Sequence, residues 1–427
     1  MATKWNRRDV VKAGAALGVG SLISPAFAAG TVRRADDTIR VGVIGCGGRG
    51  TGAAANAIDA HPSVKIVALA DLFEDRLNGS RSYLEGREDA SQRVAIDDAH
   101  CFTGFDAYQK LVALKDIDYV ILATPPGFRP IHFKAAIDAG KNVFMEKPVA
   151  VDPVGIRTVI EAAERAQAKK LSVVAGTQRR HEASYLALME RVHGGELGDI
   201  VGAQCYWNQG GLWVHDRKPE YSDMEWQCRN WLYFCWLSGD HICEQHIHNI
   251  DVVNWAKGGP PVKATGMGGR QVRTAEKYGN IFDHFAIEFE YADGSSCMSM
   301  CRQIDGCAGC VEEVLRGTKG TSVSRPGFAV MEGANSWRFD AENRNPYEQE
   351  HTDLVASITG EGKYLNEARR VAESTLTAIM GRMSTYTGKQ VTWEQAMNSQ
   401  LDLSPARYAF GDLAVREVPM PGSTPLI

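Results

Sequence analysis

Residues 45–50 have the composition of a loop that holds phosphate groups. The segment reads Gly45, Cys46, Gly47, Gly48, Arg49 and Gly50. Glycines let a pyrophosphate approach the backbone closely, and a helix that begins in the loop adds amide donors and a positive field. Asp71 follows about twenty residues further on, where a carboxylate accepts hydrogen bonds from an adenosine ribose. Since that carboxylate would repel a 2′-phosphate, the pair predicts a site for NAD, with NADP less favoured.

A second group of residues could bind metal. Three histidines and a glutamate lie close together between residues 241 and 248. On a helix, His241, Glu244 and His248 would follow one face at i, i+3 and i+7, which is a plausible arrangement of ligands. Because hydride transfer to a nicotinamide needs no metal, the site is predicted to hold none, and metal binding stays the alternative.

The residues around the glycine loop predict the elements that position it. Ile39–Ile44 and Val64–Ala70 are apolar runs rich in β-branched residues, with a helical stretch between them. The alternative is a glycine turn near an unrelated surface acid. A strand, a glycine loop and a helix in this order favour the dinucleotide site.

The alternation of strands and helices continues to about residue 176. Asp118–Ala123, Asn142–Met145 and Leu171–Ala175 have the pattern of buried strands, and His132–Ala139 that of a helix ended by Gly140. Strands that alternate with helices form a parallel sheet covered on both faces. Residues 37–176 are therefore predicted to be an α/β Rossmann domain.

The pattern changes after residue 177. Alternating runs such as Phe285–Tyr291, followed by the turn Ala292–Gly294, indicate half-buried strands between about Ile200 and Cys301. Residues 177–400 are predicted to form an α+β domain with a large, mostly antiparallel open sheet. A helix from Asn366 to about Thr387 is expected to pack back on the core, and residues 401–427 to form an extended tail.

Six further segments carry motifs typical of one enzyme family. They are Ala123–Pro126 with His132, Ala139–Pro148, Gly176–Arg180, Gly195–Gly198, Gly317–Gly320 and Asn366–Glu373. With the glycine loop, they resemble the Gfo/Idh/MocA family, which includes glucose-fructose oxidoreductase and inositol dehydrogenase. The similarity extends from about Thr38 to Asn398. It implies a nicotinamide-dependent oxidoreductase with an NAD-binding Rossmann domain and a second domain for the substrate.

The resemblance implies that Lys147 is catalytic. In that family the turn Glu146-Lys147-Pro148 places its lysine between nicotinamide and substrate. An ammonium beside the reacting hydroxyl stabilises the developing alkoxide and shares in proton transfer while hydride leaves the same carbon. The alternative is a solvated lysine at the end of a strand. The resemblance adds further cofactor contacts at Thr124, Pro125, His132 and Glu146.

The resemblance also implies a proton relay within residues 239–251. The family carries an aspartate and a histidine four residues apart, followed by another aspartate. Here Glu244 replaces the first aspartate, whereas His248 and Asp251 match. Residues at i and i+4 share a helix face, so Glu244 is predicted to orient His248, while His246 points elsewhere and is expected to be a structural or substrate-shaping residue. The predicted substrate-binding residues are Arg179, Trp207, His246 and Asp251.

Tryptophans are concentrated in the second domain. Trp207, Trp213, Trp231 and Trp236 lie within thirty residues of one another. Such side chains stack on sugar rings or fill a core, and both interpretations stay open here.

The ten cysteines show no disulfide framework in their spacing. The pairs Cys297 with Cys301 and Cys307 with Cys310 leave a zinc site or a local disulfide as alternatives. Strand-like alternation around Cys297 would separate such ligands onto two faces.

The first 28 residues predict export. Arg7 and Arg8 precede a stretch rich in Gly and Ala that ends in Ala26-Phe27-Ala28, which resembles a twin-arginine signal peptide. A membrane helix is the alternative, but glycines and a proline interrupt a short and weakly apolar stretch. The mature protein is expected in the periplasm or otherwise outside the cytoplasm, without stable membrane insertion.

Length and charge limit the remaining possibilities. A chain of 427 residues with 44% hydrophobic content can bury the cores of two domains. A net charge of −5 and the lack of a basic block argue against a nucleic-acid partner. An exposed sheet face predicts a homo-oligomer, either a dimer or a tetramer.

The leading functional prediction is hydride transfer between a sugar, polyol or glycoside hydroxyl and a nicotinamide cofactor. An exported enzyme meets little free NAD, so the cofactor is expected to be tightly held. The alternative is a redox-neutral glycosidase similar to the NAD-dependent family 109 enzymes. In that cycle, oxidation at C3 acidifies the C2 proton, elimination breaks the glycosidic bond, and hydride returns after water adds. A third possibility is a cofactor-bearing binding protein without turnover.

Overall fold

The computed structural model describes residues 38–427, and the predicted export signal at residues 1–28 lies outside them. The chain folds around two sheets. The parallel strands of the first sheet are β1 (Ile39–Ile44), β2 (Val64–Asp71), β3 (Cys101–Thr103), β4 (Tyr119–Leu122), β5 (Asn142–Met145) and β6 (Val173–Ala175). Their order is β3-β2-β1-β4-β5-β6.

Five helices connect the strands of the first sheet. They are α1 (Gly48–Ala60), α2 (Glu74–Glu85), α3 (Ala107–Val112), α4 (Arg129–Asp138) and α5 (Pro153–Lys169). Every residue of β4 is buried, as expected for a parallel strand with helices on both faces. The strand order reverses between β1 and β4, and in doubly wound sheets a ligand binds beyond the strand ends at such a point. The predicted Rossmann fold is confirmed.

The second sheet has nine strands. They are β7 (Ile200–Gln209), β8 (Lys263–Gly269), β9 (His284–Glu290), β10 (Ser296–Gln303), β11 (Cys310–Gly317), β12 (Gly320–Arg325), β13 (Phe328–Gly333), β14 (Trp337–Arg338) and β15 (Val391–Thr392). Their order is β14-β13-β12-β11-β7-β10-β9-β8-β15. In β9, Phe285, Ile287 and Phe289 are buried and Glu288 is exposed, so one face meets a core and the other meets solvent.

The predicted mostly antiparallel arrangement is confirmed, with one parallel pair at the centre. Strands β7 and β10 run parallel, whereas their other neighbours run antiparallel to them. Helices lie between β7 and β8, so β10 reaches β7 only through the tertiary fold. A local pattern of alternation records burial but not strand direction, and the sequence therefore did not predict this pairing.

Eight further helices follow β6 along the chain. They are α6 (Ala183–His193), α7 (Asp223–Arg229), α8 (Cys235–Ser238), α9 (His241–Glu244), α10 (Ile247–Lys257), α11 (Pro346–Thr359), α12 (Ala368–Thr387) and α13 (Trp393–Asn398). None of the helices within residues 38–427 is long and apolar enough to cross a membrane.

Helix α12 joins the two halves of the molecule. It packs against α5 of the first domain and against β8 of the second sheet, and its residues from 374 onward are all buried. A methyl group at Gly381 would lie 2.9 Å from side-chain atoms of Ile287 and Phe289. Glycine therefore lets this helix approach the sheet closely, which sets the two domains against each other.

Candidate active site

The glycine loop has the shape of a phosphate cradle. A methyl group at Gly45 would lie 2.5 Å from the backbone nitrogen of Thr124, and one at Gly50 would overlap the carbonyl oxygen of Gly45. Gly47 and Gly48, in contrast, face open space at the beginning of α1. Two glycines thus close the turn and two leave room beside the helix amides, so these residues fit a dinucleotide pyrophosphate.

Asp71 supports this loop and faces the same space. Its Oδ2 accepts a hydrogen bond from the backbone N–H of Cys46 at 2.6 Å, and its Oδ1 accepts one from Phe73 at 2.8 Å. Burial raises the pKa of the Asp71 carboxyl above its ordinary value, although the two N–H donors oppose that shift. The remaining lone pairs are available to a ribose.

A cavity of about 440 Å³ extends from the loop, a size suited to a cofactor. Cys46 and Gly50 lie outside its lining and build the loop from behind. His132 lies on its wall, hydrogen-bonded to Thr124 Oγ1 at 3.1 Å. Burial lowers the pKa of His132 to about 3, so the ring is neutral. The predicted cofactor contacts that line this cavity are Gly45, Gly47, Gly48, Arg49, Asp71, Thr124, Pro125 and His132.

A second cavity of about 390 Å³ adjoins the first. The two share Arg49, Ala123, Thr124 and Trp231 in their walls. The predicted residues that line the second cavity are Glu146, Lys147, Glu244, His248 and Trp207. The cofactor and catalytic residues predicted from the sequence therefore surround two connected spaces.

Lys147 follows β5 at the carboxyl edge of the first sheet, and its bond to Pro148 is cis. Its Nζ donates to the backbone oxygen of Glu244 at 2.5 Å and to Glu244 Oε1 at 3.1 Å. Both side chains are nearly buried, with 12% and 11% of their surface exposed. The ammonium is thus held at one position, with a donor hydrogen free for a third partner.

Glu244 departs from its predicted role. The sequence predicted one helix on which Glu244 orients His248, but α9 ends at Glu244 and α10 begins at Ile247. Glu244 contacts Lys147, and its Oε2 is buried without a partner among the described residues. The break between the helices leaves the carboxylate in contact with the lysine.

His248 lies on the first turn of α10 and stacks against Trp207, with ring centroids 5.7 Å apart. Its Nδ1 is buried without a hydrogen-bond partner among residues 38–427. Burial and then the charge of Lys147 hold the pKa of the imidazole well below its ordinary value. The ring is therefore neutral at physiological pH and able to accept a proton.

Asp240 fixes the segment that carries these groups. Its φ of 68° lies in the left-handed region, which costs backbone energy for a residue other than glycine. Its carboxylate accepts hydrogen bonds from the N–H of His241, the N–H of Phe282 and the hydroxyl of Tyr386. These bonds compensate for the strained backbone and anchor the start of α9 beside the cavity.

Three predicted substrate-binding residues lie outside the lining of both cavities. The guanidinium of Arg179 forms an ion pair with buried Glu313. The same guanidinium lies 5.7 Å from the ring centroid of Trp207. Arg179 therefore supports the wall of the second cavity from behind. The prediction of substrate contact from position alone did not account for this buried acid on β11.

Asp251 and His246 also have structural partners. Asp251 accepts hydrogen bonds from Arg180 at 2.8 and 2.9 Å and from Ser374 at 2.7 Å. His246 Nε2 lies 2.7 Å from Ser299 Oγ on β10. His246 therefore contacts the sheet, which agrees with the structural one of its two predicted roles, and it lines neither cavity.

Four polar side chains of the second cavity had been assigned no role from the sequence. Gln178 has a buried Oε1 without a partner among the described residues, and it lies in a motif that could have signalled it. The ring of Tyr347 lies 5.0 Å from the guanidinium of Arg49. It comes from α11, far along the chain, and no local pattern marks it. They are Arg129, Gln178, Gln245 and Tyr347.

The histidine and cysteine side chains that were alternative metal ligands have other surroundings. His241 is fully buried, and its Nδ1 lies 2.9 Å from Asp240 Oδ1. Residues 38–427 contain no cluster of three or more His, Cys, Asp or Glu side chains arranged for a metal ion. All ten cysteines are free thiols, and Cys297 and Cys301 point to the same buried face of β10. The expected separation of this pair onto two faces was therefore wrong.

The tryptophans divide between the two interpretations. Trp207 and Trp231 line the second cavity, and Trp213 and Trp231 line the first. Trp236 is buried and donates its indole N–H to Gln227 at 2.8 Å, so it belongs to the core.

Two family models match the chain. Residues 39–174 match the NAD-binding Rossmann fold of an oxidoreductase family, and residues 185–323 match the GFO/IDH/MocA C-terminal domain. The chain belongs to the Gfo/Idh/MocA oxidoreductase family. The Rossmann domain of this family binds NAD, which supports NAD as the cofactor.

Curated relatives include proteins of two functional groups. A glycosyl hydrolase family 109 protein of Solibacter usitatus is 32% identical over 154 residues, which cover 34% of either chain. An inositol 2-dehydrogenase/D-chiro-inositol 3-dehydrogenase of Shouchella clausii is 28% identical over 218 residues, 51% of this chain and 53% of the relative. The chain thus spans about a third to about half of the length of these Gfo/Idh/MocA relatives.

Solved structures share the fold. The scyllo-inositol dehydrogenase from Lactobacillus casei, with bound NAD(H) and scyllo-inositol, superposes with a TM-score of 0.64 at 20% identity. The superposition covers 83% of this chain and 99% of that chain. At this identity the likeness is one of the Gfo/Idh/MocA fold.

Proposed function

We propose that this protein transfers hydride between a hydroxyl-bearing carbon of a sugar, polyol or glycoside and NAD. One observation carries the proposal: Lys147, Glu244 and His248 line a cavity that shares wall residues with the glycine-loop cavity. The residues present fit NAD, which supplies a nicotinamide ring able to accept or return a hydride.

The protein side chains manage the proton. Lys147 Nζ, held by Glu244, donates a hydrogen bond to the reacting oxygen and stabilises its developing charge. The neutral imidazole of His248 accepts the hydroxyl proton. Trp207 supports the His248 ring and offers an apolar face to a sugar ring.

The second candidate is a redox-neutral glycoside hydrolase. It is favoured by the similarity to family 109 proteins and by Tyr347, whose phenol lines the same cavity as His248. Elimination after oxidation removes a second proton, from the carbon next to the carbonyl, and so requires a further acceptor. Tyr347 lines the cavity in which that step would occur.

The two candidates are separated by incubating the purified protein with aryl glycosides and with free sugars, without added NAD. Release of the aryl group identifies the hydrolase, whereas a single stoichiometric rise in absorbance at the wavelength of NADH identifies the dehydrogenase. We expect Lys147→Met to lower either activity by at least about a hundredfold, because the ammonium contributes acid–base and electrostatic stabilisation. Turnover of this variant at the wild-type rate would contradict the site assignment.

The proposal extends to location and assembly. Export by the twin-arginine pathway rests on Arg7 and Arg8, and the mass of the mature chain from a periplasmic fraction tests it. Self-association rests on the outer face of the second sheet, where Met267 is 77% exposed. Sedimentation of the wild type and of Met267→Lys tests that part of the proposal.

A further inference from the structure

The cofactor cavity has a second wall that the Rossmann domain does not supply. Opposite the glycine loop, Asp71 and Phe73, the lining comes from Trp213, His215, Cys228, Arg229 and Trp231. These five residues belong to the second domain and lie in the segment 213–231. Asp71 marks the adenosine end of the cavity, since an acid at this strand end binds the ribose. The segment therefore covers the adenosine half of the site.

Arg229 fastens this segment to the Rossmann domain. Its guanidinium lies 3.9 Å from the ring centroid of Phe73, and its two terminal nitrogens each lie 3.2 Å from an oxygen of Asp75. Its Nε donates to Glu225 at 2.9 Å, which fixes the side chain to α7. A planar guanidinium with two carboxylates and an aromatic face is a specific contact, which a lysine would not reproduce.

The tail binds the same segment from outside. Two backbone oxygens in residues 404–413 accept hydrogen bonds from α7. The oxygen of Gly411 accepts one from the N–H of Met224 at 3.1 Å, and the oxygen of Leu413 accepts one from Gln227 Nε2 at 2.6 Å. The ring of Phe410 lies 6.0 Å from Phe73 and 5.1 Å from Phe105.

Phe73 and Phe105 are themselves wall residues of the cofactor cavity. The tail therefore contacts both walls of the cavity, the Rossmann side through aromatic rings and the second-domain side through hydrogen bonds. We call the segments 213–231 and 404–413 together the clasp.

We propose that the clasp retains the adenosine half of NAD between the two domains, so that the cofactor stays bound through successive turnovers. NAD would leave this end of the cavity only after the Arg229 contacts and the aromatic contacts of Phe410 have separated. The inference rests on the proposed function in that it takes NAD as the bound dinucleotide, and it identifies residues of the second domain as cofactor contacts.

The test measures the rate at which NAD leaves the full-length protein. The purified protein is loaded with isotopically labelled NAD, and an excess of unlabelled NAD is added in the absence of any sugar. Retained label is then followed by rapid gel filtration. The variants are Arg229→Met, which removes the fastening charge, and Phe410→Ala, which removes the outer ring. Asp75→Asn weakens the same contact from an exposed position, where folding is not at risk.

Arg81→Met is the matched control, because Arg81 forms exposed ion pairs with Glu85 and Asp98 and does not line either cavity. We expect the wild type and the control to keep their label through overnight dialysis. Arg229→Met and Phe410→Ala should release it at least tenfold faster. Release from the wild type within minutes, or an increase below tenfold in either Arg229→Met or Phe410→Ala, would overturn the clasp, and so would a release rate of Asp75→Asn equal to that of the control.

The measurement separates this inference from the proposed function. Because no sugar is present, slow release of NAD from a protein that then oxidises no sugar or glycoside would support the clasp and contradict the catalytic proposal. Fast release of NAD from a protein that does oxidise a sugar would contradict the clasp and support the catalytic proposal. Far-ultraviolet circular dichroism of each variant shows that the domains remain folded.

Discussion

Lys147 and Glu244 form the contact on which the catalytic proposal depends most. The backbone oxygen and the carboxylate of Glu244 both accept hydrogen bonds from the ammonium. In a nearly buried position, the carboxylate also supplies the compensating charge that an ammonium needs. His248 lines the same cavity as this pair, with a pKa that burial and then the charge of Lys147 lower.

The substitution Glu244→Gln removes the negative charge of the side chain and keeps its size and shape. The amide of glutamine can still accept a hydrogen bond, and the backbone oxygen still holds Nζ, but the compensating charge is lost. We expect kcat to fall about tenfold to a hundredfold while NAD binding stays unchanged, since a small displacement of a catalytic group has costs of this size.

The comparison requires steady-state kinetics with a reactive substrate and an NAD titration. Glu288→Gln serves as the control, because Glu288 is exposed on the outer side of β9. A kcat for Glu244→Gln equal to that of the wild type would show that the carboxylate does not hold the ammonium for catalysis.

In the loop between β1 and α1, one glycine is needed for backbone packing and another leaves space for a ligand. Gly50 lies against the carbonyl of Gly45, whereas Gly47 faces the open cavity with an ordinary φ of −71°. The first glycine is required by packing, and the second by the ligand.

Two alanine substitutions should therefore fail in different ways. We expect Gly50→Ala to lower the free energy of unfolding by about 1–3 kcal/mol, because the added methyl group overpacks the turn. Gly47→Ala should unfold like the wild type and bind NAD at least about tenfold more weakly, because the methyl group occupies space that the pyrophosphate needs. Urea unfolding and an NAD titration on each variant check both outcomes, and equal NAD affinity in Gly47→Ala would contradict the cradle.

His181 connects elements that are far apart in the whole molecule. Its Nδ1 lies 2.5 Å from Asp353 on α11, and its Nε2 lies 3.5 Å from Glu367 before α12. Glu367 also accepts a hydrogen bond from Ala175 at the end of β6. Burial opposes a charge on His181, but Glu367 and Asp353 outweigh it and raise the pKa to about 10.

A raised pKa makes the stability of the folded protein depend on pH. The unfolded histidine has a pKa near 6.5, so this contribution is complete below about pH 6.5 and is lost as the pH rises toward 10. The free energy of unfolding of the wild type should therefore fall more steeply between pH 6.5 and 9.5 than that of His181→Gln. Urea unfolding at both pH values measures the difference. Parallel decreases in the two proteins would show that His181 is not protonated in the folded state.

The glycine loop, Asp71 and the strands around them were predictable because they are local. A buried parallel strand, a turn of glycines and a helix start each leave a signature within a few residues, so the Rossmann fold and the NAD site followed from the sequence. Lys147 and His248 were recognised by family resemblance, and both line the second cavity.

Only the tertiary structure decided which polar residues face that cavity. Arg179 and Asp251 meet buried charges from strands and helices distant in sequence, and Glu244 turns to Lys147 because the helix breaks after it. Tyr347 comes to this cavity from α11, and Phe410 of the tail packs against Phe73 of the cofactor cavity, although both are distant in sequence from the residues they meet. Periodicity in a sequence records which residues are buried, whereas the identity of their partners depends on contacts between segments that the chain brings together only on folding.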